Sequence, residues 1–143
     1  MKDQEPVKIL FITQKNEPYI KETEIADICR KYPQYTQEKG CEIRTFMPRY
    51  GCVNERRNQL HEVIRLSGMN LIINDDDHQL IIKVASIPSA RVQIYFIDND
   101  EYFQSKAIVL DEEGNMLPDN DERAIFYARG VLETVKKLRW SPN

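Results

Sequence analysis

Two short apolar, β-branched runs flanking one helix-length segment constrain this chain most. Val7–Thr13 (Val-Lys-Ile-Leu-Phe-Ile-Thr) reads as a strand buried on both faces. Cys41–Met47 (Cys-Glu-Ile-Arg-Thr-Phe-Met) reads as a second strand, stopped by Pro48. Between them, from about Thr23 to Glu38, Ile25, Cys29, Tyr32 and Thr36 recur at helical spacing, and Gly40 lies just beyond the end. Pro33 inside that pattern predicts a kink or the end of the regular helix. Strand, helix and strand within about 40 residues make a βαβ unit, whose strands are parallel. The fold class is therefore α/β.

The middle of the chain has a different rhythm. Leu60–Leu66, Asn70–Asn74, Leu80–Ser86 and Val92–Ile97 are strand-like runs split by Ser67-Gly68, Asp75-Asp76-Asp77-His78 and Pro88-Ser89. Turns this closely spaced predict antiparallel hairpins forming an appendage, with the last run returning to the parallel sheet. Asp111–Asn115 reads as a turn. The clearest helix runs from Asp119 to about Arg139. Asp119, Asp121 and Glu122 suit its positive end, and Lys136, Lys137 and Arg139 its negative end. Ala124, Ala128, Val131, Leu132, Val135 and Leu138 form an apolar face, and Glu133–Lys137 a favourable four-residue pair.

Composition removes whole classes of function. With 143 residues the chain fits one domain large enough for its own core. Twenty basic against 23 acidic residues, net −3 with no basic tail, point away from nucleic acid and anionic lipid. No apolar run spans a membrane and the N-terminus lacks a signal-peptide stretch, so the expected location is cytoplasmic. Three cysteines (Cys29, Cys41, Cys52) in no metal spacing suit free thiols. Two histidines, His61 and His78, argue against a metal centre, and five glycines against a glycine-rich phosphate loop. No cofactor is implied, and no serine or cysteine has a histidine at catalytic spacing, so no catalytic residue emerges.

Binding candidates are few. Open parallel sheets take ligands beyond the carboxyl ends of their strands. The loop after the first strand carries Lys21 ahead of a helix start, where free N–H groups favour an anion. Equally, Glu22 and Glu24 there suit a plain helix start beside a solvated lysine. Arg49, Arg56 and Arg57 beyond the second strand suit either phosphate or sugar hydroxyls, or pairing with Glu55 and Glu62. Asp75–His78 reads as a hairpin tip, Asp98–Glu101 as a turn and helix cap, and His61 as structural.

Several segments in order resemble the N-terminal part of bacterial glycogen synthases and plant starch synthases, glycosyltransferase family 5. They are Pro18-Tyr19, Lys21, Ile25-Ala26-Asp27, Tyr32-Pro33, Gly40-Cys41-Glu42-Ile43-Arg44 and Met47-Pro48-Arg49-Tyr50-Gly51. Val92–Asp98 with Tyr102-Phe103, Asp119–Phe126 and Trp140-Ser141-Pro142 extend the likeness across essentially the whole chain. The resemblance implies a Rossmann-like lobe of a GT-B glycosyltransferase, with residues 1–143 a single truncated N-terminal domain. It implies transfer of glucose from ADP-glucose to an α-1,4-glucan with retention, and an inactive fragment when isolated. Lys21 would face the donor phosphates, Asp27 would orient the first helix or contact sugar, and Arg49 would support the loop.

One departure bears on that activity. Where the family carries two glycines, this chain has Thr23 and Glu24. Only glycine lets backbone approach a diphosphate without a Cβ in the way. A Glu24 carboxylate at about 5 Å from a phosphate would cost roughly 3 kcal/mol, over about a hundredfold in affinity. The alternative function is thus a non-catalytic relative that binds glucan or a protein and has lost the donor. A missing strand after the last helix would leave a sheet edge unpaired, which predicts homo-oligomers of the fragment.

Overall fold

The computed structural model describes residues 4–21 and 23–143. Glu22, read above as a dipole-stabilising carboxylate, and the first three residues lie outside them. The chain order is β1 (Lys8–Ile12), α1 (Glu24–Glu38), β2 (Glu42–Pro48), β3 (His61–Glu62), β4 (Asn70–Ile73), β5 (Asp76–Gln79), β6 (Ile81–Ser86), β7 (Gln93–Asp98) and α2 (Asn120–Lys137). A five-stranded sheet has the order β1-β2-β7-β6-β3, and β4 and β5 make a separate hairpin. β1–β2 and β2–β7 are parallel, while β7–β6 and β6–β3 are antiparallel. The βαβ unit and the return of the 92–97 run beside β2 agree with the sequence reading.

Other expectations need correction. β1 is not buried on both faces. It has a strand neighbour on one side only, its residues are half-buried, and Ile12 is 55% exposed. Most of the excursion is no appendage either, because β6 and β3 widen the main sheet and only β4–β5 stands apart. The segment read as a hairpin tip at Asp75–His78 turns earlier, at Asn74 and Asp75, which take positive φ of 49° and 65°. Asp76–Gln79 is then a strand, paired to β4 with Leu71 opposite His78. The Leu60–Leu66 run contributes only the two residues of β3, followed by a 3-10 turn at Ile64–Leu66. His61 is exposed there rather than a satisfied internal group.

Both helices form where the pattern places them, but α1 packs through a different face and α2 through only part of the expected one. In α1 the buried residues are Ala26 and Pro33, while Ile25 and Tyr32 are exposed. The helix also runs past Pro33 to Glu38. Proline has no N–H for the carbonyl four residues back. That carbonyl, Cys29 O, instead accepts from the fully buried Asn16 side chain, Nδ2 at 3.1 Å. In α2 the buried residues are Arg123, Phe126, Gly130, Val131 and Thr134; the expected Val131, Val135 and Leu138 do pack on the core, while Ala124, Ala128 and Leu132 lie outside it. Gly130 sits where a Cβ would lie 2.8 Å from Ile97 Cγ2, so helix and sheet meet at backbone distance. Glu133 pairs with Lys136 at 3.3 Å rather than with Lys137. The core is continuous, joining Phe46, Ile82, Ile94, Phe96 and Ile97 of the sheet to Phe126 and Val131 of α2.

Candidate functional site

The carboxyl ends of β1, β2 and β7 lead into three loops that surround one small cleft. Gln14, Tyr50, Phe103, Asn120, Arg123 and Tyr127 line its ≈ 250 Å³. Each wall has a local cause. Thr13 ends β1 by donating both its N–H (3.0 Å) and its hydroxyl (2.7 Å) to Phe46 O, which fixes where Gln14 emerges. Tyr127, on α2, donates its hydroxyl to Thr13 O at 2.6 Å and so ties helix to loop. Burial pushes the Tyr127 phenol far above its usual range, which keeps it a donor at any ordinary pH.

Arg123 builds the opposite wall. It is 4% exposed and has no carboxylate partner among the described residues. Its Nε donates to Tyr102 O at 2.9 Å, Nη1 to Ile108 O at 2.6 Å, and Nη2 to Ala107 O at 3.2 Å. Its guanidinium lies 5.7 Å from the Tyr50 ring centre and 5.3 Å from that of Phe103. One side chain thereby pins the 102–108 loop onto α2 while stacking on two aromatic rings. Gly51 completes the wall, donating its N–H to Ser105 O at 3.1 Å. A Cβ there would overlap the backbone of Gln104 and Ser105, so this approach requires glycine.

Lys21, Asp27 and Arg49 are not gathered into that cleft. Lys21 is exposed in the loop ahead of α1. Asp27, in the first turn of α1, pairs with Lys31 at 3.1 Å, and that bond and charge raise the lysine above its ordinary value. Arg49 meets the fully buried Asp98, Nη2 to Oδ1 at 2.9 Å, and Lys83 reaches the other oxygen at 2.8 Å. Burial lowers the Lys83 ammonium, but its bonds to Asp98 and Glu55 outweigh that and leave it raised. Asp98–Glu101 is a turn, as expected. Asn99 Oδ1 accepts from Glu101 N (2.9 Å) and Tyr102 N (3.0 Å), but no helix follows directly. Arg56 and Arg57 are exposed.

The start of α1 is chemically occupied by its own sequence. Thr23 is the N-cap, its hydroxyl accepting from Ala26 N at 3.2 Å, and Glu24 and Asp27 place carboxylates in the first turn. Such a cap fills part of the anion-attracting capacity of a helix start. Cys29, Cys41 and Cys52 are free thiols, and burial pushes up those of Cys29 and Cys52. Among the described residues no cluster of histidine, cysteine and carboxylates could hold a metal, and no helix is long and apolar enough to cross a membrane. The wall residues Gln14, Arg123 and Tyr127 escaped sequence reasoning. Arg123 did stand in the Asp119–Phe126 segment that carried the family resemblance, which gave it no role.

The family described as starch synthase catalytic domain matches residues 8–143. Glycogen synthases of Chlorobium limicola and Chlorobaculum tepidum are each 36% identical over 137 residues, covering 95% of this chain and 28% of their own length. The catalytic domain of starch synthase IV from Arabidopsis thaliana, solved bound to ADP and acarbose, superposes with a TM-score of 0.79 at 15% identity. That match covers 97% of this chain and 27% of the plant chain, and it establishes a shared α/β fold. The chain spans little more than a quarter of the relatives it matches, and it belongs to the starch synthase catalytic domain family.

Proposed function

We propose that this chain forms the N-terminal portion of a glucosyltransferase that moves glucose from ADP-glucose to the non-reducing end of an α-1,4-glucan. The observation that carries the reading is the family match over residues 8–143, coinciding with an aromatic and polar cleft at the carboxyl ends of the parallel strands. In this reading Lys21, exposed in the loop ahead of α1, meets the donor phosphates. Asp27 orients the start of α1, and Arg49 holds the loop after β2 through Asp98. The chain lies in the cytoplasm, where sugar nucleotides are found, and its surface suits a neutral glucan better than nucleic acid.

A second reading has its own support. Thr23 already caps α1, and Glu24 adds a carboxylate at the place where a donor phosphate would approach. A relative that holds glucan or protein but not the donor would look like this. Calorimetry with ADP-glucose on the longest natural form of the protein separates the two. Micromolar binding, unaffected by Thr23→Gly with Glu24→Gly, supports a transferase whose phosphate site lies outside this loop and removes Lys21 from that role. Binding that appears only after the double substitution supports the donor-blind relative. The two glycines cost at most about 1 kcal/mol each in helix propensity, less than the electrostatic gain of roughly 3 kcal/mol.

A further inference from the structure

Two arginines without carboxylate partners among the described residues lie at the other end of the sheet. A cavity of ≈ 420 Å³ opens beside the first residues of β2 and β7, lined by Gln37, Arg44, Ser86, Arg91, Gln93 and Tyr95 among others. Four strand residues, about 13 Å, separate Arg44 from Pro48 at the cleft described above. Arg44 is unusually placed for a cation. Only its Nη1 finds an acceptor among the described residues, the Tyr95 hydroxyl at 3.0 Å, and its Nε is buried with no partner. Neither Arg44 nor Arg91 has a carboxylate within ion-pair distance among the described residues. The nearest acidic lining residue, Glu42, accepts from Trp140 Nε1 at 2.7 Å.

A half-buried guanidinium with no carboxylate partner favours an anion at the N–H groups that Tyr95 leaves over. The occupant's chemistry follows from what is missing. Sugar rings dock on open aromatic faces, and here those faces are taken. Tyr95 stacks on Phe46 at 5.1 Å on one side and carries the Arg44 guanidinium at 5.8 Å, and Trp140, 6% exposed, also faces Arg44 at 5.7 Å. What the cavity offers instead is two arginines, with the amides of Gln37 and Gln93 and the Ser86 hydroxyl beside them. Guanidinium pairs suit phosphate, and amides suit the hydroxyls of a small polyol carrying it. We propose that the Arg44–Arg91 cavity is a binding site for a small phosphate-bearing anion, remote from the carboxyl-end cleft.

The test titrates inorganic phosphate and pyrophosphate into the protein by calorimetry and phosphorus NMR, with neutral maltotetraose as comparator. The proposal expects saturable pyrophosphate binding at one site, weakened by added potassium chloride. Arg91 is exposed, so Arg91→Gln leaves the fold intact and lowers affinity by at least about tenfold, the loss of one charge-assisted hydrogen bond. Arg91→Lys retains the charge and recovers part of that loss. Arg44→Gln removes binding, with circular dichroism confirming the fold. Absence of saturable binding by the unmodified protein overturns the proposal, and so does binding indifferent to Arg91→Gln. Maltotetraose binding that depends on Arg91, without phosphate binding, overturns it as well and makes the cavity a glucan site.

Discussion

Asp98 is where the two halves of the sheet are locked, and its removal can be worked through quantitatively. Asp98→Ala takes away the carboxylate shared by Arg49 (2.9 Å) and Lys83 (2.8 Å), and the acceptor of Asn99 N at 2.8 Å. At these distances each pair is worth about 6 kcal/mol at an effective dielectric near 20, before desolvation is subtracted. Desolvation returns several kcal/mol per ion, so breaking such a buried pair destabilises by about 3–5 kcal/mol. The Arg49 and Lys83 side chains are only 11% and 18% exposed, so water cannot readily replace the lost partner. Lys83 keeps Glu55, which places the expectation near 3 rather than 5 kcal/mol. Against a total of about 5–15 kcal/mol for a domain, that is a large share. Urea unfolding followed by fluorescence measures it. A loss below about 1 kcal/mol at unchanged m-value, the size of a surface pair, would refute the reasoning. The apolar replacement Arg49→Met, Lys83→Met and Asp98→Leu should regain most of the loss, because no charge is then left buried alone.

Gly51→Ala should destabilise by about 1–3 kcal/mol, since the new Cβ would sit 2.5 Å from Ser105 O and 2.7 Å from Ser105 C, both backbone atoms; an unchanged melting temperature counts against this. Alkaline pH should unfold the protein steeply. Burial raises the Tyr19 phenol to about 12, and burial with nearby carboxylates does the same for Tyr102. The unfolded phenols ionise near pH 10, so this stability is intact below about pH 10 and is lost between about pH 10 and 12. Absorbance at the phenolate band showing all seven tyrosines ionised near pH 10 without unfolding would contradict it. Concentration-dependent self-association is expected through the exposed α1 stripe of Ile25, Ile28, Tyr32 and Tyr35 and the β1 edge beyond Lys8, whose own backbone groups are held by Asn143. Sedimentation velocity giving one monomeric species at high concentration argues the other way.

The elements that periodicity could identify were those whose side chains repeat. β1, β2, β7 and both helices are runs of one rhythm, and their pairing follows from the βαβ rule. What escaped was the covered face of α1 and half of that of α2. Ile25, Cys29, Tyr32 and Thr36 make the more apolar stripe of α1, yet the smaller Ala26 and the ring of Pro33 are what the sheet accepts at close range. Likewise α2 approaches through Gly130, which no hydrophobicity pattern marks. β5 was unreadable because Asp76-Asp77-His78-Gln79 has the composition of a turn, and its pairing comes from β4 rather than from its own residues. Buried charges fared similarly. Arg123 and Asp98 look like surface residues in a sequence, and only three-dimensional closure shows loop carbonyls around one and two cations around the other.

The sheet order carries a consequence for how the chain reaches its fold. Ser86 pairs with Gln93 across a tight connection, whereas Thr45 must find Ile94 across the whole β3–β6 excursion. Closing the longer loop costs about 2 kcal/mol more entropy than the shorter. The β6–β7 ribbon and the β1–α1–β2 unit can therefore each assemble from near neighbours, and the β2–β7 seam is the slow, non-local event that joins them. Arg49, just past the end of β2, meets Asp98, the last residue of β7, across that seam, and β6 brings Lys83 to the same carboxylate. The Arg49–Asp98 arm of the lock therefore closes with the slow seam, while the Lys83–Asp98 arm belongs to the ribbon that precedes it. Loss of the Asp98 carboxylate should accordingly slow folding as well as speed unfolding.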